Sequence, residues 1–285
     1  MRKVLVLGAT GMLGITIYKY LSKKQNIEVF GSIRNKQDEK YFSKEERKNL
    51  HSGQEISKID KLENLVVKLK PEIIINCIGL IKQLELSHDP LQIIPVNALF
   101  PHKLSEICRK YKSRLIHFST DCVFSGSKGF YKEVDEPDAR DLYGLSKLLG
   151  EVVGENNLTI RTSIIGPELK SNNSLLCWFL SQKDEVKGYQ NAIFSGLPTI
   201  ELSRVIYKYV IPNNHINGLY HISAEPIDKY SLLKMISKVY EHKINIIPYS
   251  NVRINRSLDS TLFRKITNYK PPSWYELLEF MKNSH

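Results

Sequence analysis

The apolar residues of this 285-residue chain fall into short continuous runs, separated by segments in which apolar and polar positions recur at helical spacing. Three of the runs are KVLVL at 3–7, EIIINC at 72–77 and RLIHFST at 114–120. Such runs are typical of strands buried on both faces of a parallel sheet. The segment ITIYKYLSKK at 15–24 has a helical pattern, and strand and helix continue to alternate along the chain. This alternation predicts the α/β class with a doubly wound parallel sheet.

The second strand, within IEVFGSIRN at 27–35, is expected to end near Ser32. Residues 36–60 are highly charged and irregular, which predicts a long surface connection with a short strand around residues 55–57. Helix signals follow later in the chain. One helix is predicted to begin at a cap, Asp60, and to end at Pro71, and another to run from about Pro95 to Lys112. Two later helices are predicted to begin at the caps Asp228 and Ser273.

The sequence GATGMLG at 8–14 stands between the first strand and the first helix. Glycines there permit a tight turn and let a phosphate approach the backbone, while the amides and dipole of the helix favour its negative charge. A glycine triplet alone is weak evidence for dinucleotide binding, but its position between a strand and a helix indicates a Rossmann-type dinucleotide site. The alternative is a purely structural turn.

The end of the second strand bears on the choice of cofactor. An acidic residue that would bind a ribose 2′-hydroxyl is missing there, and Arg34 stands in its place with Lys36 close by. An arginine at this position suits a 2′-phosphate, which favours NADPH over NADH. The alternative is that Arg34 is a solvated residue at the strand end. The residues predicted to bind the cofactor are Gly8, Thr10, Gly11, Met12, Leu13, Arg34, Cys77, Ile78, Gly79, Asn97, Tyr143 and Lys147.

The spacing Tyr-x-x-x-Lys places a hydroxyl and an ammonium on one face of a helix. It occurs three times, with tyrosines at 20, 143 and 230, so the spacing alone is not diagnostic. Only Tyr143 and Lys147 follow a strand that ends in polar residues, SerThrAspCys at 119–122, where ligands of parallel sheets bind. We therefore expect Tyr143 to donate a proton to the oxygen formed when a hydride reaches a carbonyl. Lys147 would lower the pKa of that tyrosine, and Thr120 would orient the carbonyl oxygen.

Composition limits the other classes of function. The net charge is +11, but the 41 basic residues are spread along the chain among 30 acidic ones, so no nucleic-acid-binding stripe is indicated. The four cysteines show no metal-ligand or disulfide spacing, and no metal site is predicted. No apolar run is long enough for a membrane span or a secretory core, and a cytoplasmic protein without a membrane partner is expected.

Several motifs together resemble the extended short-chain dehydrogenases/reductases, and within them the dTDP-4-dehydrorhamnose reductase family. They are GATGMLG, STDCVFSG, DLYGLSKLLGE, RTSIIG and FSGLPT, which span nearly the whole chain. More narrowly, TDCVFSG, SLLCWFLSQ and AIFSGLPTIEL resemble reductases of UDP-linked 2-acetamido-4-keto-6-deoxyhexoses for surface polysaccharides. The resemblance implies NADPH-dependent reduction of the 4-keto group of a nucleotide-linked 4-keto-6-deoxyhexose, of the UDP-2-acetamido or dTDP type.

The same resemblance implies a division of the chain. Residues 1–162 would bind NADP(H), and residues 163–285 would form a smaller C-terminal α/β domain for the sugar nucleotide, with parts of 192–215 packed back on the first domain. Thr120, Tyr143 and Lys147 would be catalytic. The residues expected to bind substrate are Ser163, Phe194, Pro198 and Arg256, the last chosen over Arg253 and Arg264 as a partner for the diphosphate.

Cys122 departs from the family motif, which usually has an aromatic residue there. Bifunctional 3,5-epimerase/4-reductases of the family carry a cysteine at the similar position as an epimerisation base, so Cys122 is a candidate for that role if its thiol ionises. The histidine that often partners it would fall near Glu168, and its absence weakens this alternative. A sugar-nucleotide epimerase or dehydratase, a non-catalytic dinucleotide sensor and a homodimer also stay open.

Overall fold

A parallel sheet of seven strands forms the centre of the computed structural model, which describes residues 1–284. Within this range the strands are β1 Arg2–Leu7, β2 Ile27–Ser32, β3 Leu50–His51, β4 Ile73–Asn76, β5 Arg114–Thr120, β6 Asn157–Thr162, β7 Ile164–Ile165, β8 Glu185–Tyr189, β9 Ala192–Phe194, β10 Leu197–Pro198, β11 Gly218–His221, β12 Ile227–Asp228, β13 Asn245–Tyr249 and β14 Ile254–Asn255.

The main sheet has the strand order β11-β6-β5-β4-β1-β2-β3, with every neighbouring pair parallel. The chain builds outward from β1 to β3, then crosses to the other side of β1 and continues from β4 to β11. A crevice forms beyond the carboxyl ends of β1 and β4, where the strand order reverses. The predicted doubly wound α/β class is confirmed, and the crevice is the place where such a sheet binds ligands.

Helices cover both faces of this sheet. In the described part of the chain they are α1 Met12–Ser22, α2 Lys44–Arg47, α3 Ile59–Leu69, α4 Pro90–Ile93, α5 Phe100–Tyr111, α6 Leu142–Leu149, α7 Leu175–Ser181, α8 Thr199–Val205, α9 Lys229–Val239, α10 Thr261–Thr267 and α11 Trp274–Lys282. A π-helical segment joins α4 to α5, and a second one extends α8. None of these helices combines the length and the apolar character needed to cross a membrane.

Three predicted boundaries differ from the structure. The short strand expected around residues 55–57 is wrong, because the edge strand is β3, two residues that pair with the end of β2 through Gly31 and Leu50. Helix α3 begins at Ile59 without a side-chain cap, so Asp60 lies inside its first turn. The helix expected from Pro95 begins earlier, at α4, where the Asp89 carboxylate accepts a hydrogen bond from the Leu91 amide.

Residues from the later part of the chain also build the main sheet and its cover. Strand β11 extends the sheet beside β6, with Gly218 opposite Leu158. Helix α8 packs on α1, and the hydroxyls of Thr16 and Thr199 lie 3.2 Å apart between them. Two smaller sheets are formed by short strands, one by β13 and β8 and the other by β12, β9 and β14. The first helix of the crevice is therefore held from behind by the second half of the chain.

A buried carboxylate fixes α8 to the C-terminal helices. The Glu201 side chain is fully buried, and it accepts a hydrogen bond from the Tyr269 hydroxyl at 2.9 Å and two from Arg204 at 2.7 and 2.8 Å. A buried charge needs such partners, because desolvation without them is costly. Burial also raises the pKa of Tyr269, which keeps its hydroxyl protonated as a donor.

We expect Tyr269→Phe to lower the free energy of unfolding by about 1.5–3 kcal/mol, because one hydrogen bond to the buried Glu201 carboxylate is lost. Urea denaturation followed by circular dichroism measures this change. Tyr275→Phe is the matched control, because Tyr275 is half exposed, and its effect should stay within about 0.5 kcal/mol. Equal midpoints for the two variants would contradict a stabilising role for the Tyr269 hydroxyl.

Candidate active site

A cleft of about 650 Å³ opens at the carboxyl ends of β1, β4 and β5. It is lined on one side by the glycine turn and on the other by segments from the second half of the chain. The sequence-predicted residues that line it are Thr10, Gly11, Met12, Leu13, Cys77, Ile78, Gly79, Thr120, Cys122, Tyr143, Lys147, Ser163, Phe194 and Arg256. Gly8, Arg34, Asn97 and Pro198 do not line it.

The glycine turn fits the diphosphate of a dinucleotide. Gly8 has a φ of 74°, in the left-handed region that favours glycine, and a Cβ on Gly14 would lie 2.1 Å from the Gly8 carbonyl oxygen. Helix α1 therefore starts tightly against the end of β1. Its N-cap, Gly11, provides no side-chain hydrogen bond, and its first turn has no acidic residue. The first amides of α1 are thus available to a phosphate at the positive end of the helix dipole.

Arg34 lies two residues beyond the end of β2 and is exposed to solvent. Its backbone carbonyl accepts a hydrogen bond from the Gly53 amide at 3.1 Å, which fixes the backbone at this strand end. The guanidinium forms no ion pair within residues 1–284. The 2′-phosphate role of Arg34 stays a prediction.

Asn97 supports the segment after β4 and does not face the cleft. Its carboxamide oxygen accepts from the Leu80 amide at 2.9 Å, and its amide nitrogen donates to the Leu80 carbonyl at 3.0 Å and to Ser146 Oγ at 3.3 Å. Gly79 beside it is exposed, and a Cβ there would lie 4.0 Å from Lys147 Nζ. Asn97 thus positions the backbone of a segment that the sequence analysis expected to approach the cofactor.

Helix α6 carries Tyr143 and Lys147 and is capped by Asp141, whose carboxylate accepts from the Gly144 amide at 2.9 Å. Two glycines set its distance from its neighbours. A Cβ on Gly144 would lie 2.4 Å from the Cys122 carbonyl oxygen, and one on Gly150 would lie 1.9 Å from the Asn97 carbonyl oxygen. The helix therefore packs backbone against backbone at both ends.

Lys147 is buried, and its ammonium donates a hydrogen bond of 2.6 Å to the Phe118 carbonyl oxygen. Burial lowers the pKa of Lys147 to about 8, and the Glu151 carboxylate opposes this shift. Glu151 is itself held by Arg161, at 2.8 Å through each oxygen, and by the Ser119 hydroxyl at 2.6 Å. A buried charge network thus stands behind the floor of the cleft.

Tyr143 behaves differently from the sequence-based expectation. Burial raises the pKa of Tyr143, and the Thr120 hydroxyl only partly opposes the rise, so the expected shift towards neutrality is wrong. The reason is that desolvation outweighs other effects, while the Lys147 ammonium is bound to a carbonyl. Thr120 donates to Asp121 at 3.2 Å and accepts from the Cys122 amide at 3.1 Å. Tyr143 is therefore a protonated hydroxyl at the wall of the cleft.

Cys122 also lines the cleft, next to Arg256. Burial raises the pKa of its thiol to about 12, and the Asp121 carboxylate adds to this rise. Arg256 opposes it, with Nη1 3.8 Å from the sulfur and Nε donating to the Phe124 carbonyl at 2.7 Å. The thiol is thus protonated near neutral pH, which does not suit a base.

Of the residues predicted to bind substrate, Ser163, Phe194 and Arg256 line the cleft and Pro198 does not. Phe194 is buried against Trp274 with ring centroids 5.8 Å apart, and Ser163 accepts from the Leu197 amide through its carbonyl. Pro198 is buried where β10 pairs with β7, directly before α8. Of the three arginines considered, only Arg256 reaches the cleft, because Arg253 is exposed elsewhere and Arg264 pairs with Glu225.

Sequence reasoning missed several charged residues at the cleft. Lys82 and Lys170 lie at its rim in ion pairs with Asp141 and Asp38, at 3.0 and 2.6 Å. Lys229, the first residue of α9, also lines the cleft. Its signal in the sequence was its position directly after the predicted helix cap Asp228. The lysines at 82 and 170 follow strand ends without any motif that would have marked them.

Comparison with known proteins adds to these observations. A probable low-salt glycan biosynthesis reductase of Haloferax volcanii is 32% identical over 51% of this chain, but the match covers only 46% of that protein. A dTDP-4-dehydrorhamnose reductase of Aggregatibacter actinomycetemcomitans is 23% identical, with 98% of each chain covered. The crystal structure of a dTDP-4-dehydrorhamnose reductase of Bacillus anthracis in complex with NADP superposes with a TM-score of 0.81 at 22% identity, covering 100% of this chain and 99% of that one.

The family model described as the RmlD substrate binding domain matches residues 1–282, nearly the whole chain. This match confirms the resemblance that the sequence motifs suggested. The fold, with its seven-stranded parallel sheet, agrees with it. The chain belongs to the family of the RmlD substrate binding domain.

Proposed function

We propose that this protein is an NADPH-dependent reductase of the 4-keto group of a nucleotide-linked 4-keto-6-deoxyhexose, used in surface polysaccharide synthesis. The observation that carries the proposal is the cleft in which the glycine turn, Thr120, Tyr143 and Lys147 meet the substrate-side residues Phe194 and Arg256. Membership of the family and the likeness to sugar-nucleotide and glycan reductases support it. The proposed sugar is of the UDP-2-acetamido or the dTDP type.

The two parts of the chain would bind different ligands. Residues up to 162 would hold NADPH, with the turn at Gly8–Leu13 on the diphosphate, Arg34 on the 2′-phosphate and Gly79 beside the ribose. Residues after 162 would hold the sugar nucleotide, although β11 lies in the main sheet. When bound, NADPH would supply a hydride for C4 of the sugar.

Tyr143 would donate its proton to the oxygen at C4. Its raised pKa keeps the hydroxyl protonated until the oxygen becomes strongly basic. Lys147 would hold its ammonium below that hydroxyl and stabilise the phenolate that remains. The Thr120 hydroxyl, which donates to Asp121, would turn to the C4 oxygen and orient it. The protonated thiol of Cys122 favours this simple reductase over a bifunctional epimerase/reductase.

The first test is incubation with NADPH and UDP-4-keto-6-deoxy-N-acetylglucosamine or dTDP-4-keto-6-deoxyglucose, with and without a matching 3,5-epimerase, in heavy water. We expect this protein to oxidise NADPH and reduce the sugar. In the mixture without the epimerase, the sugar should carry no carbon-bound deuterium. Tyr143→Phe should lower turnover by about 10²- to 10⁴-fold, because a general acid is lost, and leave NADPH binding intact. Tyr20→Phe is the control, since Tyr20 also precedes a lysine by four residues but lies outside the cleft.

Unchanged turnover in Tyr143→Phe would refute the catalytic role. Deuterium at C3 or C5 in the absence of the added epimerase would instead support Cys122 as an epimerisation base. Failure to oxidise NADPH with both sugars would refute the proposed activity.

Arg34→Ala should weaken NADPH binding by about tenfold or more and leave NADH binding within about twofold, because only NADPH carries the 2′-phosphate. Fluorescence titration of both cofactors measures the two dissociation constants. Arg109→Ala, at another exposed arginine, is the control. Equal losses for the two cofactors would show that Arg34 does not recognise the 2′-phosphate.

The pH dependence should follow Lys147. Its amine has a pKa of about 8, so the ammonium is present below that pH and is lost above it. The value of kcat/KM for NADPH reports ionisations of the free enzyme, so it should be level below about pH 8 and decline above it. Steady-state rates across this range test the expectation. A profile that stays level to about pH 10, where free tyrosine and lysine titrate, would contradict the role of Lys147.

A further inference from the structure

Five cationic side chains line the cleft, and four of them already have partners. Their contacts are Lys82 with Asp141 at 3.0 Å, Lys170 with Asp38 at 2.6 Å, Lys147 with the Phe118 carbonyl at 2.6 Å, and Arg256 with the Phe124 carbonyl at 2.7 Å. The fifth is Lys229. Within residues 1–284 its ammonium has no carboxylate within 4.0 Å and no hydrogen-bond acceptor.

The surroundings of Lys229 favour an anion from outside the chain. Burial lowers the pKa of Lys229, Asp121 and Cys122 oppose that shift, and Arg256 adds to it, so these three titratable groups lie near its ammonium. Lys229 is half-buried at the cleft wall, and an ammonium taken partly out of water without an acceptor gains from an anionic partner. A bound anionic group would be such a partner, since it could accept hydrogen bonds from Lys229 and Arg256 together.

The position of Lys229 is fixed by its local structure. It is the first residue of α9, whose cap Asp228 accepts a hydrogen bond from the Ser231 amide at 2.8 Å. Asp228 also pairs with Ile193 of β9, another residue of the cleft wall. Arg256 is held by the Phe124 carbonyl. Both cations therefore stand at fixed points beside Asp121 and Cys122, which directly follow Thr120.

We infer that Lys229 is a substrate-binding residue that, together with Arg256, binds the sugar-proximal phosphate of a nucleoside diphosphate sugar. This inference rests on the proposed function. A phosphate bound there would fix the sugar at its anomeric end while its C4 carbonyl lies at Thr120 and Tyr143. Lys229 thus selects diphosphate-linked sugars over uncharged sugars and over nucleoside monophosphates.

Binding of free nucleotides tests the inference without turnover. Isothermal titration of the full chain with UDP, dTDP, UMP and dTMP compares wild type with Lys229→Met, which keeps the length of the side chain and removes its charge. We expect the variant to bind its preferred diphosphate about tenfold or more weakly, and the matching monophosphate with a smaller loss. Lys234→Met is the control, because Lys234 lies on the exposed face of the same helix and should behave as wild type.

Kinetics separate binding from catalysis. Lys229→Met should raise KM for the nucleotide sugar by a similar factor, with kcat and the NADPH dissociation constant within about twofold, and Lys229→Arg should restore part of the affinity. Equal binding of diphosphates by wild type and Lys229→Met, or a loss confined to NADPH, would overturn the inference. If wild type reduces neither 4-keto sugar but Lys229→Met still loses diphosphate affinity, the proposed function fails and the phosphate site stands.

Discussion

The close approach of α6 to its neighbours is the constraint on which the rest of the site depends. Gly144 lies against the Cys122 carbonyl and Gly150 against the Asn97 carbonyl, at distances that leave no room for a Cβ. Glycine inside a helix costs about 1 kcal/mol relative to alanine, so Gly144 gives up helix stability for this close contact, while Gly150 makes its contact as the C-cap of the helix. The first contact ties the helix to the turn after β5, and the second ties it to the segment that positions Leu80. Tyr143 and Lys147 are thereby held in one place relative to the strand ends.

Burial then gives the groups at the floor of the cleft their protonation states. It raises the pKa of Tyr143 and of Cys122 and lowers that of Lys147, since the charged form of each group is disfavoured away from water. The network of Glu151 and Arg161 behind Lys147 limits the last shift. Near neutral pH Tyr143 and Cys122 therefore keep their protons, and Lys147, with a pKa of about 8, is the one of these three groups that titrates close to that pH. Such an arrangement suits proton delivery to a substrate oxygen and does not suit proton abstraction by a thiol.

Much of this arrangement could be predicted from the sequence because its signals are local. The glycine turn and the runs of buried strands follow from short-range pattern, and the position of Tyr143 at the cleft follows from its place after a strand that ends in polar residues. The edge strand β3 could not be predicted, because two paired residues in a charged segment leave no periodic pattern. The pKa of Tyr143 and the isolation of Lys229 also escaped prediction, since both depend on which distant segments cover a side chain. Pro198 and Asn97 were predicted at the site, but Pro198 is buried where β10 pairs with β7, and the Asn97 carboxamide is bound to the Leu80 backbone.

The two ion pairs at the rim of the cleft are sensitive to salt, unlike the buried ion pair behind its floor. Lys170 and Asp38 join the segment after β7 to the helical turn after β2, and Lys82 and Asp141 join the segment after β4 to the start of α6. Both lysines are partly exposed, so dissolved ions weaken these pairs far more than the buried network at the floor. Ionic strength would thus loosen the contacts that join these segments at the rim, and would leave the buried network behind the floor unchanged.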